Sequence, residues 1–228
     1  MISDVAARLD EVRARVAAAA TTAGRSPAEV TLVVVSKSFS ADVVAQVLEA
    51  GATDLGENRA QELREKAIAL PDVPRWHFIG HLQTNKTRHV VGTAHLIHSV
   101  DRVGLAEEIA RRARTSSRSQ DVLIEVNVSG EATKHGVEPP GALALAEQVA
   151  ALDGIEVKGL MTMAPFSNDP EASRPFFADL RALGERVGGV LEHATQLSMG
   201  MTRDFEVAIE EGATLVRVGE AIFGPRSR

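Results

Sequence analysis

Val30-Thr31-Leu32-Val33-Val34-Val35-Ser36-Lys37 is the stretch on which the fold turns. Its β-branched and aliphatic run reads as a strand buried on both faces, the kind found in parallel sheets. A lysine closes it. In α/β folds ligand chemistry gathers at the carboxyl ends of strands. An amine held there against an apolar floor loses solvation, which lowers its pKa and leaves more of it as neutral nucleophile. That is the state a Schiff-base lysine uses. A lysine that merely ends a strand and reaches for water is the commoner case, so the remaining sequence decides between the two.

Upstream, Ile2, Val5, Leu9, Val12 and Val16 recur at spacings of three and four. They predict an amphipathic helix capped by Ser3 or Asp4 and ending near Gly24. Downstream, a helix over 42–50 is stopped by Gly51. Short apolar runs then recur near 54–57, 76–79, 96–100, 122–128, 155–163, 196–199 and 215–223. Helical patterns lie between them at 59–70, 86–91, 105–114, 142–152, 171–187 and 205–211. Alternating strands and helices imply parallel strands joined by right-handed crossovers. With the Lys37 strand there are eight such units, which predicts an α/β fold, a closed (β/α)8 barrel of the TIM type with an additional N-terminal helix. An open doubly wound sheet is the alternative. No linker or low-complexity stretch breaks the pattern, so one domain over 1–228 is expected. By the two-residue period, Val33, Val35 and Lys37 share one strand face, and Leu215, Arg217 and Gly219 share another. If the barrel closes, its first and last strands adjoin and Lys37 and Arg217 point into one mouth.

Composition narrows the function. The 228 residues are 44% hydrophobic and 25% charged, with net charge −6. That balance argues against nucleic acid or an anionic membrane as the main partner. There is no cysteine, which removes disulfides, thiol catalysis and cysteine metal sites. There is also no tyrosine, so a mechanism that needs a phenol as acid or base is closed. With no apolar leader and no run of membrane-spanning length, a cytoplasmic protein is expected.

Several stretches carry candidate chemistry. Leu197-Ser198-Met199-Gly200-Met201-Thr202 follows the seventh strand, and Val218-Gly219-Glu220 lies in the eighth apolar run. Barrel enzymes often bind phosphate with the loops after these two strands. A hydroxyl at Ser198 and glycines that admit backbone N–H groups suit that task, although the same glycines also serve turns and close packing. Asn58, after Gly56-Glu57, either caps the next helix or donates to a ligand oxygen. His77 and His81 are four apart, a zinc spacing on a helix. Gly80 interrupts them and no third ligand stands out, so no metal is assigned. His89, His95 and His98 read as ordinary surface or core histidines. The arginines at 111, 112, 114 and 118 read as a solvated helix end.

Taken together, Val35-Ser36-Lys37, Gly56-Glu57-Asn58, His77-Phe78-Ile79-Gly80-His81-Leu82-Gln83-Thr84-Asn85-Lys86, Gly159-Leu160-Met161-Thr162, Leu197-Ser198-Met199-Gly200-Met201 and Val216-Arg217-Val218-Gly219 with Ile222-Phe223-Gly224 resemble the pyridoxal phosphate homeostasis protein family. Its members are barrels related to the N-terminal domain of alanine racemase. The resemblance implies that Lys37 carries pyridoxal 5'-phosphate as an internal aldimine and that Asn58 lies beside the ring's 3-oxygen. Ser198, Met199, Gly200 and Gly219 would hold the phosphate, and Arg217 would face the ring nitrogen. It further implies a role in vitamin B6 supply and balance, without a settled catalytic activity. The cofactor would be buffered or handed to the apo forms of pyridoxal-phosphate-dependent enzymes, and a monomer is expected.

Arginine is effectively always protonated and only donates, so a ring nitrogen facing Arg217 stays an unprotonated acceptor. The ring is then a weaker electron sink, which suits a carrier better than a catalyst. Two features depart from the family pattern. Glu220 stands where smaller or basic residues are common, and Ser38-Phe39-Ser40 is not the commonest sequence after the lysine. Two other functions compete: a racemase-like enzyme that uses the cofactor, and an aldolase in which Lys37 attacks a carbonyl without any cofactor.

Overall fold

The apolar run at 30–37 becomes the first strand of a closed eight-stranded barrel. The protein is seen here as a computed structural model, which describes residues 2–70 and 74–225. Helix α1 (Ile2–Thr22) leads into β1 (Thr31–Val35), α2 (Ala41–Glu49), β2 (Asp54–Glu57), α3 (Ala60–Ala69), β3 (Arg75–Phe78) and β4 (Leu96–Val100). There follow α4 (Val103–Thr115), β5 (Gln120–Glu125), α5 (Ala142–Ala150), β6 (Ile155–Met161) and α6 (Arg174–Gly188). The chain continues through β7 (Gln196–Met201), α7 (Phe205–Glu210), β8 (Leu215–Val218) and α8 (Glu220–Phe223). Each strand runs parallel to the next, and β8 returns to β1 with Leu215 opposite Thr31 and Val218 opposite Val34. The closed barrel is the fold; the open sheet is not.

Strand alternation divides the core into two layers. Val33, Leu96, Leu123, Met161 and Leu215 point inward and fill the barrel as their own cluster. Their neighbours Val34, Ile97, Val122, Ile124, Leu160 and Val216 face outward against the helices. Helix α1 buries Val5, Leu9, Val12 and Val16 as its spacing requires. It is tied down by Arg13, which donates to the backbone oxygens of Ala50 and Gly51 at 3.0 and 2.7 Å. Asp4 lies inside α1 and does not cap it; the side chain of Ser3 lies outside those described. None of the helices among the described residues is long and apolar enough to cross a membrane.

The boundaries shift where the sequence lacks a stripe to bury. The helix expected over 86–91 is a 3-10 segment, Thr84–His89, in which only Thr87 is buried. Without an apolar face, a longer helix has nothing to pack. The run at 215–223 is not one strand. β8 stops at Val218, Gly219 turns the chain, and α8 begins at Glu220. Likewise β5 ends at Glu125, and Val126 makes only an isolated bridge with Val137.

Candidate functional site

At the carboxyl end of β1 the backbone on both sides of Lys37 is clamped. Ser36 N–H donates to the Gly56 oxygen at 3.0 Å, and its own carbonyl accepts from the Lys66 ammonium at 2.8 Å. Its hydroxyl donates to Glu57 Oε1 at 2.7 Å, and Lys66 reaches the same oxygen at 2.5 Å. On the far side, Ser38 sits in the left-handed region, at φ 70°. Its N–H donates to Glu62 Oε2 at 2.8 Å. Burial pushes the Glu57 carboxyl up despite the bonds from Lys66 and Ser36. Half-buried Lys37 lies two residues beyond the strand, in a turn fixed by this buried ion pair.

Neighbouring strands bring the other expected residues to the same end of the barrel. Val35 is paired with Gly56, so Asn58 stands level with Lys37, each two residues past that pair. Helix α3 takes Arg59, not Asn58, as its N-cap, so the capping role is not the one Asn58 plays. A Cβ at Gly80 would overlap the Asn58 backbone, so that glycine lets the β3 end pack against Asn58. Gly219 packs as closely on β1: a Cβ there would stand 2.8 Å from the Val35 oxygen. Glu220 is exposed in the first turn of α8, past the end of the strand.

Arg217 lies inside the barrel, 4% exposed, opposite Val33. Its guanidinium donates to Ser198 Oγ at 2.5 Å and to the Thr162 carbonyl at 2.9 Å. These bonds use two of the five N–H groups, leaving donors for a ligand acceptor. Burial lowers its pKa to about 10, so it stays charged at neutral pH.

The stretch from Ser198 to Gly200 offers less side-chain chemistry than its sequence promises. Ser198 is fully buried and its hydroxyl faces the barrel interior, held between Arg217 and His98. Met199 is fully buried in the outer layer. At Gly200, φ is 89° and a Cβ would crowd Ala208 and Phe205 of α7, so close packing already explains this glycine. What remains for a phosphate is backbone. Ser198 pairs with Leu215 but Met201 with Arg217, so three steps along β7 match two along β8. Such a bulge releases main-chain groups from the ladder at the barrel's end.

Beneath Arg217 runs a polar chain that the sequence did not single out. Ser198 Oγ is 2.9 Å from His98 Nδ1, and His98 Nε2 is 2.9 Å from His77 Nδ1. His77 Nε2 is 3.0 Å from Asp54 Oδ1, and Arg75 clasps Asp54 with bonds of 2.9 and 2.7 Å. The two histidines are at most 2% exposed, and desolvation holds both pKa values down, that of His98 well below its usual range. Burial alone would raise the Asp54 pKa; bonds from His77, Arg75 and Thr53 outweigh it and leave the carboxyl well below its usual range. The signal available was a histidine inside each of two apolar runs, on the inward face with Leu96 in the case of β4.

Two further groups border this end. Glu125 closes β5 on the inward face above Leu123, 3% exposed, with no hydrogen-bond partner for Oε2 among the described residues. Burial, reinforced by Asp101 and opposed by Arg217, raises its pKa to about 7. The four-residue spacing of His77 and His81 does not make a pair: His77 is inside the barrel and His81 is on the rim. There His81 stacks on His135, centroids 3.8 Å apart and planes 16° apart, with Asp101 at 3.8 Å. These three could face one cation. Parallel rings keep their lone pairs in separate planes, however, and Arg102 already holds Asp101 at 2.5 Å.

Residues 7–227 match the family model described as alanine racemase, N-terminal domain. The pyridoxal phosphate homeostasis protein of Aquifex aeolicus (strain VF5) is 47% identical, covering 96% of this chain and 97% of the relative. That of Pseudomonas aeruginosa is 42% identical over 99% and 97%. Among solved structures, PipY of Synechococcus elongatus PCC7942 with PLP bound aligns at TM-score 0.83 and 32% identity, covering 96% of this chain and 100% of that one. An alanine racemase from Clostridium difficile 630 aligns at TM-score 0.78 with 12% identity over 99% of this chain and 58% of that one, a likeness of fold.

Proposed function

Because the chain belongs to the pyridoxal phosphate homeostasis proteins of the alanine racemase N-terminal-domain family, we propose that it holds pyridoxal 5'-phosphate at the barrel mouth with Lys37 as the covalent anchor, and serves in vitamin B6 homeostasis. One observation carries this reading. β1 adjoins β8 with Val33 opposite Arg217, which gives Lys37 and Arg217 to neighbouring strands of one mouth.

When bound, the cofactor supplies an aldehyde carbon that takes an amine and a ring that withdraws electrons. The chain's own residues bind and orient it. Lys37 presents its amine from a turn whose backbone Lys66, Glu57 and Glu62 fix. Asn58, level with Lys37, would lie beside the ring's 3-oxygen. The backbone of the β7 bulge at Met199 and Gly200, with that of Gly219, would receive the phosphate. Ser198 acts one step back, by holding Arg217. Arg217 would donate to the ring nitrogen and, being charged, would keep that nitrogen unprotonated. General acid–base help is typically worth about 10²–10⁴ in rate, and with no tyrosine in the sequence a phenolic base opposite Lys37 is missing. We therefore assign buffering or delivery to apo-enzymes by a monomer, rather than turnover.

The test is an absorption spectrum on adding the cofactor, followed by borohydride reduction and peptide mapping. The expected adduct is on Lys37, and Lys37→Ala should lose it while retaining weaker, noncovalent binding. An adduct elsewhere, or no colour, refutes the assignment. Deuterium exchange at the α-carbon of alanine or serine near one per second or faster would make the protein an enzyme instead.

A further inference from the structure

We propose that Asp54, His77, His98 and Ser198 form a positioning chain that sets the Arg217 guanidinium from the opposite end of the barrel. The inference rests on the reading that Arg217 faces the bound ring.

With both rings neutral and Asp54 ionised, the bonds admit one proton arrangement. Asp54 is ionised and can only accept, so the proton of neutral His77 must be on Nε2, which faces it. His77 Nδ1 is then bare and accepts, so His98 carries its proton on Nε2. His98 Nδ1 is bare in turn and takes the Ser198 hydroxyl proton. The serine oxygen is left with lone pairs, and Arg217 donates into one of them. Every step has a donor and an acceptor at 2.5 to 3.0 Å. Reversing the chain would need a second proton on His77 or a protonated Asp54; desolvation of the His77 ring opposes the first, and the bonds from Arg75 and Thr53 oppose the second.

Asp54 is anchored at the amino end of the barrel by Arg75, whose side chain is 57% exposed. The anchor is therefore outside the cofactor mouth, while the chain's last member touches Arg217 directly. A buried arginine has no water to hold it in one pose; here the serine and the Thr162 carbonyl fix it, and the histidines fix the serine. Groups that orient a metal ligand from one bond behind change metal affinity by about 10- to 100-fold when removed. His98 acts on Arg217 through Ser198, one bond further back, so an effect at about the tenfold end of that scale is expected.

Long-range ¹⁵N–¹H correlation on the cofactor-free protein tests the proton arrangement. Both His77 and His98 are expected as the neutral Nε2–H tautomer across pH 5.5 to 8. Either ring found as Nδ1–H, or protonating near pH 6.5, overturns the chain. The second measurement uses cofactor-loaded protein. His98→Phe should weaken cofactor binding about tenfold or more and move the absorption maximum. His98→Gln keeps one donor and one acceptor and should restore both. Unchanged affinity and spectrum in His98→Phe refutes the positioning role. So does a His98→Gln that binds as poorly as His98→Phe while melting like the wild type. If the wild type takes up no cofactor at all, the proposed function fails, and the tautomers still decide whether the chain exists.

Discussion

His77 Nδ1 and His98 Nε2 meet at 2.9 Å inside the barrel, both rings desolvated and both held neutral. A neutral histidine in the folded state whose pKa lies below its unfolded value costs stability in acid. Below pH 6.5 the unfolded chain binds a proton that the folded one refuses, so stability falls as pH falls. In His98→Gln one such proton is missing. Below pH 6 its stability should fall less steeply than that of the wild type, by about 1.4 kcal/mol per pH unit. Urea unfolding at several pH values checks this; parallel slopes would mean that His98 protonates in the fold.

Glu125 should act in the opposite sense. Its folded pKa, about 7, lies above the usual carboxylate value, so the folded state binds the extra proton. Stability from this group is present below about pH 4.5 and is lost as pH rises through 7. The shift is equivalent to roughly 3 kcal/mol at pH 8. Glu125→Gln removes the titration, and its melting temperature relative to the wild type should rise between pH 5 and pH 8. A constant difference over that range would place the carboxyl in a more polar setting than its burial indicates.

Gly80→Ala tests the contact that seats Asn58. The added methyl group would overlap the Asn58 backbone oxygen and α-carbon, and backbone cannot swing aside as a flexible side chain can. Overpacking of this kind costs about 1–3 kcal/mol. Calorimetry should show that loss, and cofactor affinity should fall with it. A variant as stable as the wild type, with unchanged affinity, would show that the β2 and β3 ends separate easily and that Asn58 needs no fixed seat.

Much of the barrel was legible because its strands are short apolar runs at a regular period. The same alternation placed Val33, Leu215 and Arg217 correctly on the inward face. It failed where function lies across strands. Ser198 looked like a phosphate hydroxyl because its stretch follows the seventh apolar run, where barrels often bind phosphate, yet its partners, His98 and Arg217, come from β4 and β8. His98 looked ordinary because one histidine in an apolar run has no visible partner until the barrel closes. Lys66 was hidden within a helical pattern, where a lysine normally faces water. The run at 215–223 is mostly apolar despite Arg217 and Glu220, and only the turn at Gly219 reveals it as a strand followed by a helix.

Lys66→Met gives the sharpest test of the clamp beneath Lys37. Lys66 is 7% exposed and Glu57 fully buried, and their bond is 2.5 Å. Removing one partner from such a pair leaves an uncompensated charge and costs about 3–5 kcal/mol. Glu57 can escape by taking a proton, since burial already pushes its pKa up. Losing Lys66 raises it further. The folded state then holds a proton that the unfolded chain releases above about pH 4.5. Stability of the variant should therefore worsen as pH rises and partly recover in acid. Adding Glu57→Gln removes the charge, and the double variant should regain stability over Lys66→Met at pH 8. Its cofactor attachment should still be slower than in the wild type, because the Ser36 carbonyl has lost its ammonium and the turn carrying Lys37 is freed on one side. A Lys66→Met deficit that is equal at pH 5 and pH 8 would mean that the pair is solvated in solution. Attachment at wild-type rate in the double variant would show that Lys37 needs no clamp.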